Sequence, residues 1–570
     1  MRKIMKKALG FTLAALMTLS LAACSSAGGG ATGENAAGQE STAAQESAAP
    51  AETAQDAQST EAAQGSATGE KIVNVGVTDT LTSLNPLLLN GGEVNKYATG
   101  LMFLPLMELD AELNFVPMVA DSITTEDNLN FIVHIDEAAV WSDGTPITAD
   151  DVAYTALRLA SPLINNTSMM YYVFEGVGED GFVEEGAESI EGVQVVDEKT
   201  VQFTTKEPMA LMTFLNSYAR YLLTLPKHVI ETIEEADLTT NEWFNQPDVI
   251  SGPFYLTDFD VDHYVSYAAN ENYWKGAPKI DKLNIRIVDG SQLYAGLQSG
   301  EIDITQQTMS VIPPEDYESV EALENVEVVY GSPITNQSVF IQTANVPDAR
   351  VRQALLYAID RQQILEQLLN GHGEVVDGFL SSASPYFDES ITPISYDPAK
   401  AQELLAEAGW DGSQTLRFYV NSGDTTFVNA ATVMAAQWAA VGIKAEITTV
   451  DFATLMSVAG SKDYDILAVQ YTYSPVDPYT DMAWLLGGEG SWTSYADDTV
   501  NEALAGTQTT SDAAELTELY SIADKKMQED VPMFSAYIIS AQGAVSKRLT
   551  GATPSVFGFF NDVQNWDVTE

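Results

Sequence analysis

The chain has 570 residues, 45% of them hydrophobic, and carries 26 Lys+Arg against 81 Asp+Glu, a formal net charge of −55. A surface so acidic repels phosphate backbones and anionic lipid, which argues against nucleic acid as a partner of the folded body. One cysteine, Cys24, excludes an internal disulfide framework and any cysteine-rich metal centre, and at roughly 150 residues per domain the length suits about three domains that stand without cross-links.

Arg2, Lys3, Lys6 and Lys7 precede an apolar run over residues 8–23. Basic then apolar, and short for a membrane span, residues 1–23 read as a signal peptide that exports the rest of the chain. Cys24 comes directly after it. Residues 24–70 are dominated by Ala, Gly, Gln, Ser, Thr and Glu and hold no aromatic side chain. They cannot bury enough apolar surface to offset chain entropy, so a disordered tether is expected there.

Ordered sequence is predicted from Lys71. Residues 72–77 alternate like a strand, Asn85-Pro86 initiates a turn, and residues 94–109 read as a helix running into a strand-like tail. Residues 131–135 have a clear period of two. In residues 140–159, Ser142-Asp143-Gly144-Thr145-Pro146 forms a tight turn. Thr148 then caps a helix, with Asp151 three residues on to close a capping box. Val152, Thr155, Ala156 and Leu159 repeat at helical spacing as its buried stripe.

Residues 161–191 are irregular and acidic, and include Gly176-Val177-Gly178-Glu179-Asp180-Gly181. This formal GxGxxG is followed by Phe182-Val183-Glu184-Glu185-Gly186 where a phosphate-binding helix would have to open, so a dinucleotide site is rejected. Residues 192–204 read as two strands and residues 208–223 as a helix. Asp258, Asp260 and Asp262 alternate along a strand; without an EF-hand glycine or a distal Glu they read as an exposed face.

A helix at 295–299 stops at Gly300 before a strand. Asp348 caps a helix over 349–369, with Val351, Leu355, Ile359, Leu365 and Leu368 on its buried side. Asp397, Pro398 and Gly409 supply the N-cap, first position and C′ stop of another. Residues 416–420, 429–440, 441–447 and 464–469 then run strand, helix, strand, strand, which argues an α/β lobe. The last helix spans 515–529.

Enzyme chemistry has no foothold. GxSxG, HExxH and P-loop patterns are absent, and His134, His228, His263 and His372 show no i, i+4 pairing. No catalytic residue, metal site or cofactor is expected.

Trp141-Ser-Asp-Gly-Thr-Pro-Ile-Thr-Ala-Asp-Asp-Val152 resembles the signature of the family 5 solute-binding proteins, which serve ABC importers of peptides, nickel chelates and similar solutes. Further stretches resemble the same family: Ser83-Leu-Asn-Pro86, Leu225-Pro-Lys-His228, residues 270–278 (NENYWKGAP), 297–304 (LQSGEIDI), 349–361 (ARVRQALLYAIDR) and 396–410. The resemblance implies an α/β, two-lobed periplasmic-binding-protein-like fold (type II, cluster C), with a hinge between lobes and an extra subdomain in the first. Lobe I would comprise residues 71–110, 190–330 and 541–570, the subdomain 111–189 and lobe II 331–540.

Leu21-Ala22-Ala23-Cys24 resembles a lipobox, which implies diacylglycerol on Cys24 and attachment to the outer face of the cytoplasmic membrane; the long tether hints at a Gram-positive cell. The implied partners are a short peptide caught between the lobes and the permease subunits of an ABC transporter, with the protein itself a monomer. A metal chelate, sugar or opine-like solute is the alternative ligand, and a signalling lipoprotein of the same fold the alternative role.

The tyrosine-dense segment 470–480 is the candidate ligand wall. Tyr471, Tyr473, Ser474 and Asp477 are the candidates within it, joined by Trp484, Trp492 and Asn336. In peptide binders of this family an Asp four residues before the Asp-Pro proline pairs with the ligand α-ammonium. Here Ser474 stands in that position and Tyr471 where Trp is common. A buried ammonium without a carboxylate costs several kcal/mol, so Asp477 or another Asp would have to serve. Tyr473→Ala is expected to weaken ligand binding and spare stability.

Overall fold

The computed structural model describes residues 69–89, 92–169, 171–423, 425–487 and 491–569. The expected signal peptide, Cys24 and all but the end of the tether lie outside the described residues. Residues 70–570 form one compact unit.

The unit is built on two mixed sheets. The first has seven strands, ordered Val326–Tyr330, Gln542–Ser546, Ile304–Thr305, Ile72–Val77, Lys282–Ile287, Tyr264–Ala269 and Phe254–Asp260. Ile72–Val77 lies parallel to both of its neighbours, and Val73, Val75 and Val77 are fully buried on it. A strand paired on both sides and covered by core side chains is apolar for that reason. The second sheet has six strands, ordered Gly373–Glu374, Met533–Ile539, Thr335–Ile341, Ile466–Thr472, Thr415–Asn421 and Lys444–Val450. Within it Thr415–Asn421, the helix Thr425–Ala440 and Lys444–Val450 form a parallel β-α-β unit.

A smaller four-stranded antiparallel sheet of Ala120–Thr125, Asn130–Ile135, Thr200–Thr204 and Val193–Asp197 carries the helix Ala149–Leu159. Its last two strands run past residue 189, because Val193–Phe203 pairing closes the sheet that begins at Ala120.

The chain crosses from the first sheet to the second between Tyr330 and Thr335 and returns between Ile539 and Gln542. The two crossings touch: Gly331 N–H donates to Ala541 O at 2.9 Å. A Cβ at Gly331 would lie 2.7 Å from the Val556 side chain, so any larger residue at the crossing would have to push Val556 aside.

Local chemistry sets the element ends. Asp143 Oδ1 accepts from Thr145 N at 2.9 Å, and Gly144 has a φ of 87°, which closes the turn. Thr148 N donates to Asp151 Oδ2 at 2.8 Å in a capping box. Asp397 accepts from Lys400 N while Gly409 ends the helix Pro398–Ala408 in the left-handed region.

The expected helix over 349–369 is two helices, Ala349–Tyr357 and Arg361–Leu369. Asp360 breaks it by capping the second through Gln363 N. Arg361 is turned inward, where its guanidinium meets Asp377 at 2.5 Å and the carbonyls of Val376 and Ser535. The expected helix over 208–223 is also shorter: Leu211–Phe214 is α-helical and widens into a π-turn over Leu215–Ala219.

The second sheet separates two cores. Val339, Ile341, Ile466, Ala468, Phe418 and Trp438 pack on one face, with Trp438 Nε1 donating to Leu355 O at 2.8 Å. Phe340, Leu467, Val469 and Tyr473 pack on the other.

Candidate ligand cleft at the crossing strands

Strand Thr335–Ile341 runs antiparallel to Ile466–Thr472, which sets Thr335 opposite Thr472 and Gln337 opposite Gln470. Directly paired residues share a face. The threonine hydroxyls bond each other at 3.1 Å, and Gln337 Nε2 donates to Gln470 Oε1 at 3.1 Å. With Leu369 and Ile539 these four side chains form one wall of a cavity. The facing wall comes from the first half of the molecule: Gln307, Thr308, Val311, Ile312, Pro314 and Tyr317. Ala541 joins them from the return crossing.

That facing wall is held in place by its own hydrogen bonds. Gln306 Oε1 accepts from Thr308 N and Met309 N at 2.7 Å each, and Gln306 Nε2 donates to Val556 O at 2.8 Å. Met309 O accepts from Thr78 N at 2.7 Å, tying the wall to the end of the central strand of the first sheet. A concave space between two halves joined by crossing strands is where a two-lobed molecule can close on a ligand.

The candidates drawn from the sequence sit elsewhere, on the opposite face of these strands and in the segment that follows them. Successive residues of a strand point to opposite faces, so Tyr471 and Tyr473 turn away from Gln470 and Thr472. Tyr473 is 2% exposed; its hydroxyl accepts from Ser381 N at 2.7 Å and its ring packs 5.1 Å from Phe379. It is a post in the core. The expectation that Tyr473→Ala spares stability is therefore corrected: removing a buried aromatic ring costs about 3–5 kcal/mol.

Tyr471, Trp484, Trp492 and Asn336 come together on that second face. Trp484, 41% exposed, lies 4.7 Å from the Trp492 ring and 6.3 Å from Tyr471. Trp492 in turn meets the Phe340 ring edge-on at 5.2 Å. Asn336 pairs with Tyr471 in the sheet register and is 1% exposed, yet neither of its side-chain polar atoms has a hydrogen-bond partner among the described residues.

Ser474 and Asp477 reach across to the first half. Ser474 Oγ donates to Asn216 Oδ1 at 3.1 Å, and Thr213 Oγ1 donates to Asp477 Oδ1 at 2.9 Å. Gln508 Oε1 accepts from Ala210 N at 3.1 Å and from Thr213 Oγ1 at 3.2 Å. Asn216 continues inward: Arg220 Nη1 donates to its Oδ1 at 3.0 Å, and Glu108 holds both Arg220 and Lys96 in a buried triad. Thr213 and Asn216 flank the start of the π-turn, an irregularity frequent at functional sites.

Asp481 was not among the sequence candidates. It is one turn beyond Asp477 on the helix Pro478–Leu486, where it accepts from Tyr471 Oη at 2.5 Å and from Ser474 N at 3.4 Å. Burial, reinforced by the Asp477 charge, pushes its carboxyl up to about 7. Asp477 is raised by burial as well, against hydrogen bonds from Thr213, Thr480 and Asn216. Asp79, beyond the central strand of the first sheet, is pushed up to about 6 by burial and then by Glu93.

Asp258, Asp260 and Asp262 form no metal cage: Asp260 is spent on Asp262 N at 3.1 Å and on His263. Among the described residues no group of three His, Cys, Asp or Glu is arranged to hold a metal ion. Nor is any helix there long and apolar enough to cross a membrane.

Residues 114–493 match the family model of bacterial extracellular solute-binding proteins, family 5. The chain is 25% identical over 472 residues to the oligopeptide-binding protein AppA of Bacillus subtilis, spanning 78% of this chain and 82% of that one. The structure of AppA with a nonapeptide superposes with a TM-score of 0.70 at 22% identity, over 88% of this chain and all of that one. A putative ABC transporter peptide-binding protein of Brucella abortus is 31% identical over 387 residues, 66% of this chain and 68% of its own length. The ABC transporter substrate-binding protein CtaP of Listeria monocytogenes has the same fold, with a TM-score of 0.75 at 24% identity over 88% of this chain and all of that one. The two-lobed architecture, the cleft at its crossings and these matches agree, and the chain belongs to the bacterial extracellular solute-binding proteins, family 5.

Proposed function

We propose that this protein captures a short peptide outside the cytoplasm and delivers it to the permease of an ABC importer. The observation that carries the reading is the cavity at the crossing strands, walled by the second sheet on one side and by residues 307–317, which follow the strand Ile304–Thr305 of the first sheet, on the other. The names of the AppA and Brucella relatives, oligopeptide-binding and peptide-binding, support the ligand class. Lobe I would be residues 71–110, 190–330 and 541–570, with the extra subdomain inserted near 111–189, and lobe II residues 331–540. Binding energy from groups on both lobes would favour the closed form, which the permease recognises.

Within this reading Asp481 takes the part that Ser474 cannot. Its carboxylate lies beside Tyr471 and the Ser474 amide and, once ionised, pairs with the ligand α-ammonium. Diacylglycerol on Cys24 would hold the monomeric protein at the outer face of the cytoplasmic membrane of a Gram-positive cell, with residues 24–70 as its tether. Two or more acyl chains suffice for stable anchoring.

Native mass spectrometry of the protein purified from its own host tests the assignment. A co-purified mass that fragments as a peptide is the expected result. A co-purified non-peptide solute, or turnover of any added compound, overturns it.

A further inference from the structure

Asn216 stands where the two halves meet, and its amide fits there in only one orientation. A carboxamide carries an acceptor and a donor on one carbon, so a half-turn about its last bond exchanges them. Three side chains touch it. Ser474 Oγ donates to Asn216 Oδ1 at 3.1 Å, Arg220 Nη1 donates to the same oxygen at 3.0 Å, and Asn216 Nδ2 donates to Asp477 Oδ2 at 3.5 Å. The serine hydroxyl can give or accept a proton and suits either orientation. Arg220 can only donate and an ionised Asp477 can only accept, so these two decide.

Arg220 is itself fixed. It directly follows the π-turn Leu215–Ala219, is 2% exposed, and its Nε donates to Glu108 Oε1 at 2.6 Å. Its guanidinium lies 5.6 Å from the centre of the Tyr221 ring and 5.3 Å from that of Phe557. Glu108 is held in turn by Lys96 at 2.5 Å. A planar guanidinium bonded through two of its nitrogens keeps one direction. On the far side Asp477 is buried, with Thr213 Oγ1 donating to its Oδ1 at 2.9 Å and Thr480 Oγ1 to its Oδ2 at 3.0 Å, so it offers Asn216 oxygens alone. The other titratable groups around Asp477 are Asp481 and Tyr479 on its own helix, with Tyr386 and Tyr520 from the elements packed against it. None of them is a cation.

We infer that Arg220 is a positioning residue for ligand capture: by occupying the Asn216 oxygen it turns the amide N–H₂ toward Asp477, and so sets how readily the two halves close. The inference rests on the peptide-capture reading and puts a determinant of affinity outside the cavity lining. Without the guanidinium, the amide is free to turn its oxygen on the Asp477 carboxylate, and two acceptors with no proton between them repel.

Small-angle scattering of the unliganded full chain, paired with calorimetry using penta-alanine, tests the inference at pH 7.5 and 5.5. Asn216→Asp keeps the acceptor that Arg220 and Ser474 need but sets a carboxylate against Asp477. That variant should have a larger radius of gyration and bind about tenfold more weakly at pH 7.5. Both should recover toward the unaltered protein at pH 5.5, where the facing carboxylates share a proton. Arg220→Met should open the molecule at both pH values, and Arg220→Lys, which restores a donor, should close most of that gap. An Asn216→Asp protein as compact as the unaltered one at pH 7.5, or open without recovery at pH 5.5, overturns the inference. So does Arg220→Lys no closer to the unaltered protein than Arg220→Met. If Arg220→Met does not fold, the Asn216→Asp comparison decides, because it leaves Arg220 paired. Penta-alanine binding by neither the unaltered protein nor any variant counts against peptide capture, while the scattering still judges the positioning role.

Discussion

At the residue scale, successive side chains at the end of the strand Ile466–Thr472 take opposite faces. Tyr473 is sealed in the core, and Tyr473→Ala should lower unfolding free energy by about 3–5 kcal/mol, whereas Tyr473→Phe, which loses only the hydroxyl bonded to Ser381, should cost about 1 kcal/mol. Denaturant unfolding of the three proteins checks both. The aromatic density of 470–480 was legible in the sequence, but the face each side chain takes was not. Period-two alternation says that Gln470 and Tyr471 part company; it does not say which face meets the cleft. Gln337 carries no signal of its own in the sequence, and its place in the cavity wall comes only from pairing with Gln470 and from the first half of the molecule set against both. Asp481 carries no signal beyond its place one turn after an Asp-Pro N-terminus, since only burial beside Tyr471 and Ser474 makes it unusual.

That burial has a pH consequence. Burial raises the folded-state carboxyl of Asp481 to about 7 and that of Asp79 to about 6, from 3.8 for an ordinary aspartate. The folded protein therefore holds protons that the unfolded chain releases between pH 4 and 7, so the stability these groups contribute is present below pH 4 and is lost as pH rises to about 7. Affinity for a free-N-terminus peptide has the opposite slope, because the ammonium needs the ionised carboxylate. Titration calorimetry should find tighter binding at pH 7.5 than at pH 5.5, and Asp481→Asn should both weaken binding about tenfold or more and flatten that dependence.

At the element scale, the termini of helices were legible and their interruptions were not. Thr148 with Asp151, and Asp397 with Pro398 and Gly409, act through groups a few residues apart, so the sequence holds both partners of each contact. At the break Asp360 caps through Gln363 N, three residues on, but the inward turn of Arg361 beside it depends on Asp377, sixteen residues beyond and folded back against it. That buried pair also carries the element: Arg361→Ala leaves the Asp377 carboxylate without its cation and should cost about 3–5 kcal/mol, measured as a lowered denaturation midpoint. The narrowing of the expected 208–223 helix to Leu211–Phe214 and a π-turn has the same origin, because Thr213 and Asn216 face hydrogen-bond partners on the other half of the molecule.

At the scale of the whole molecule, the two halves are joined in three ways. Gly331 and Ala541 link the crossings, the cavity walls face each other beside them, and the Thr213–Asp477, Asn216–Ser474 and Ala210–Gln508 bonds clasp the halves directly. Each of these bonds spans the two halves and would break if the halves parted, so they bias any open-closed balance without touching the cavity. Thr213→Val together with Asn216→Ala should enlarge the radius of gyration of the unliganded protein in small-angle scattering and weaken peptide binding, with added peptide restoring the compact form. The family signature over residues 141–152 was legible because it is local; the clasp was not, because its partners lie more than 250 residues apart.

Hydrogen exchange with and without a bound peptide tests most directly the claim that one ligand is gripped by both halves at the crossing strands. Slowed exchange on both walls together, at residues 307–317 and at residues 335–337 with 470–481, is the predicted result. Protection confined to one wall, or found only on the four-stranded sheet of residues 120–204, would contradict it.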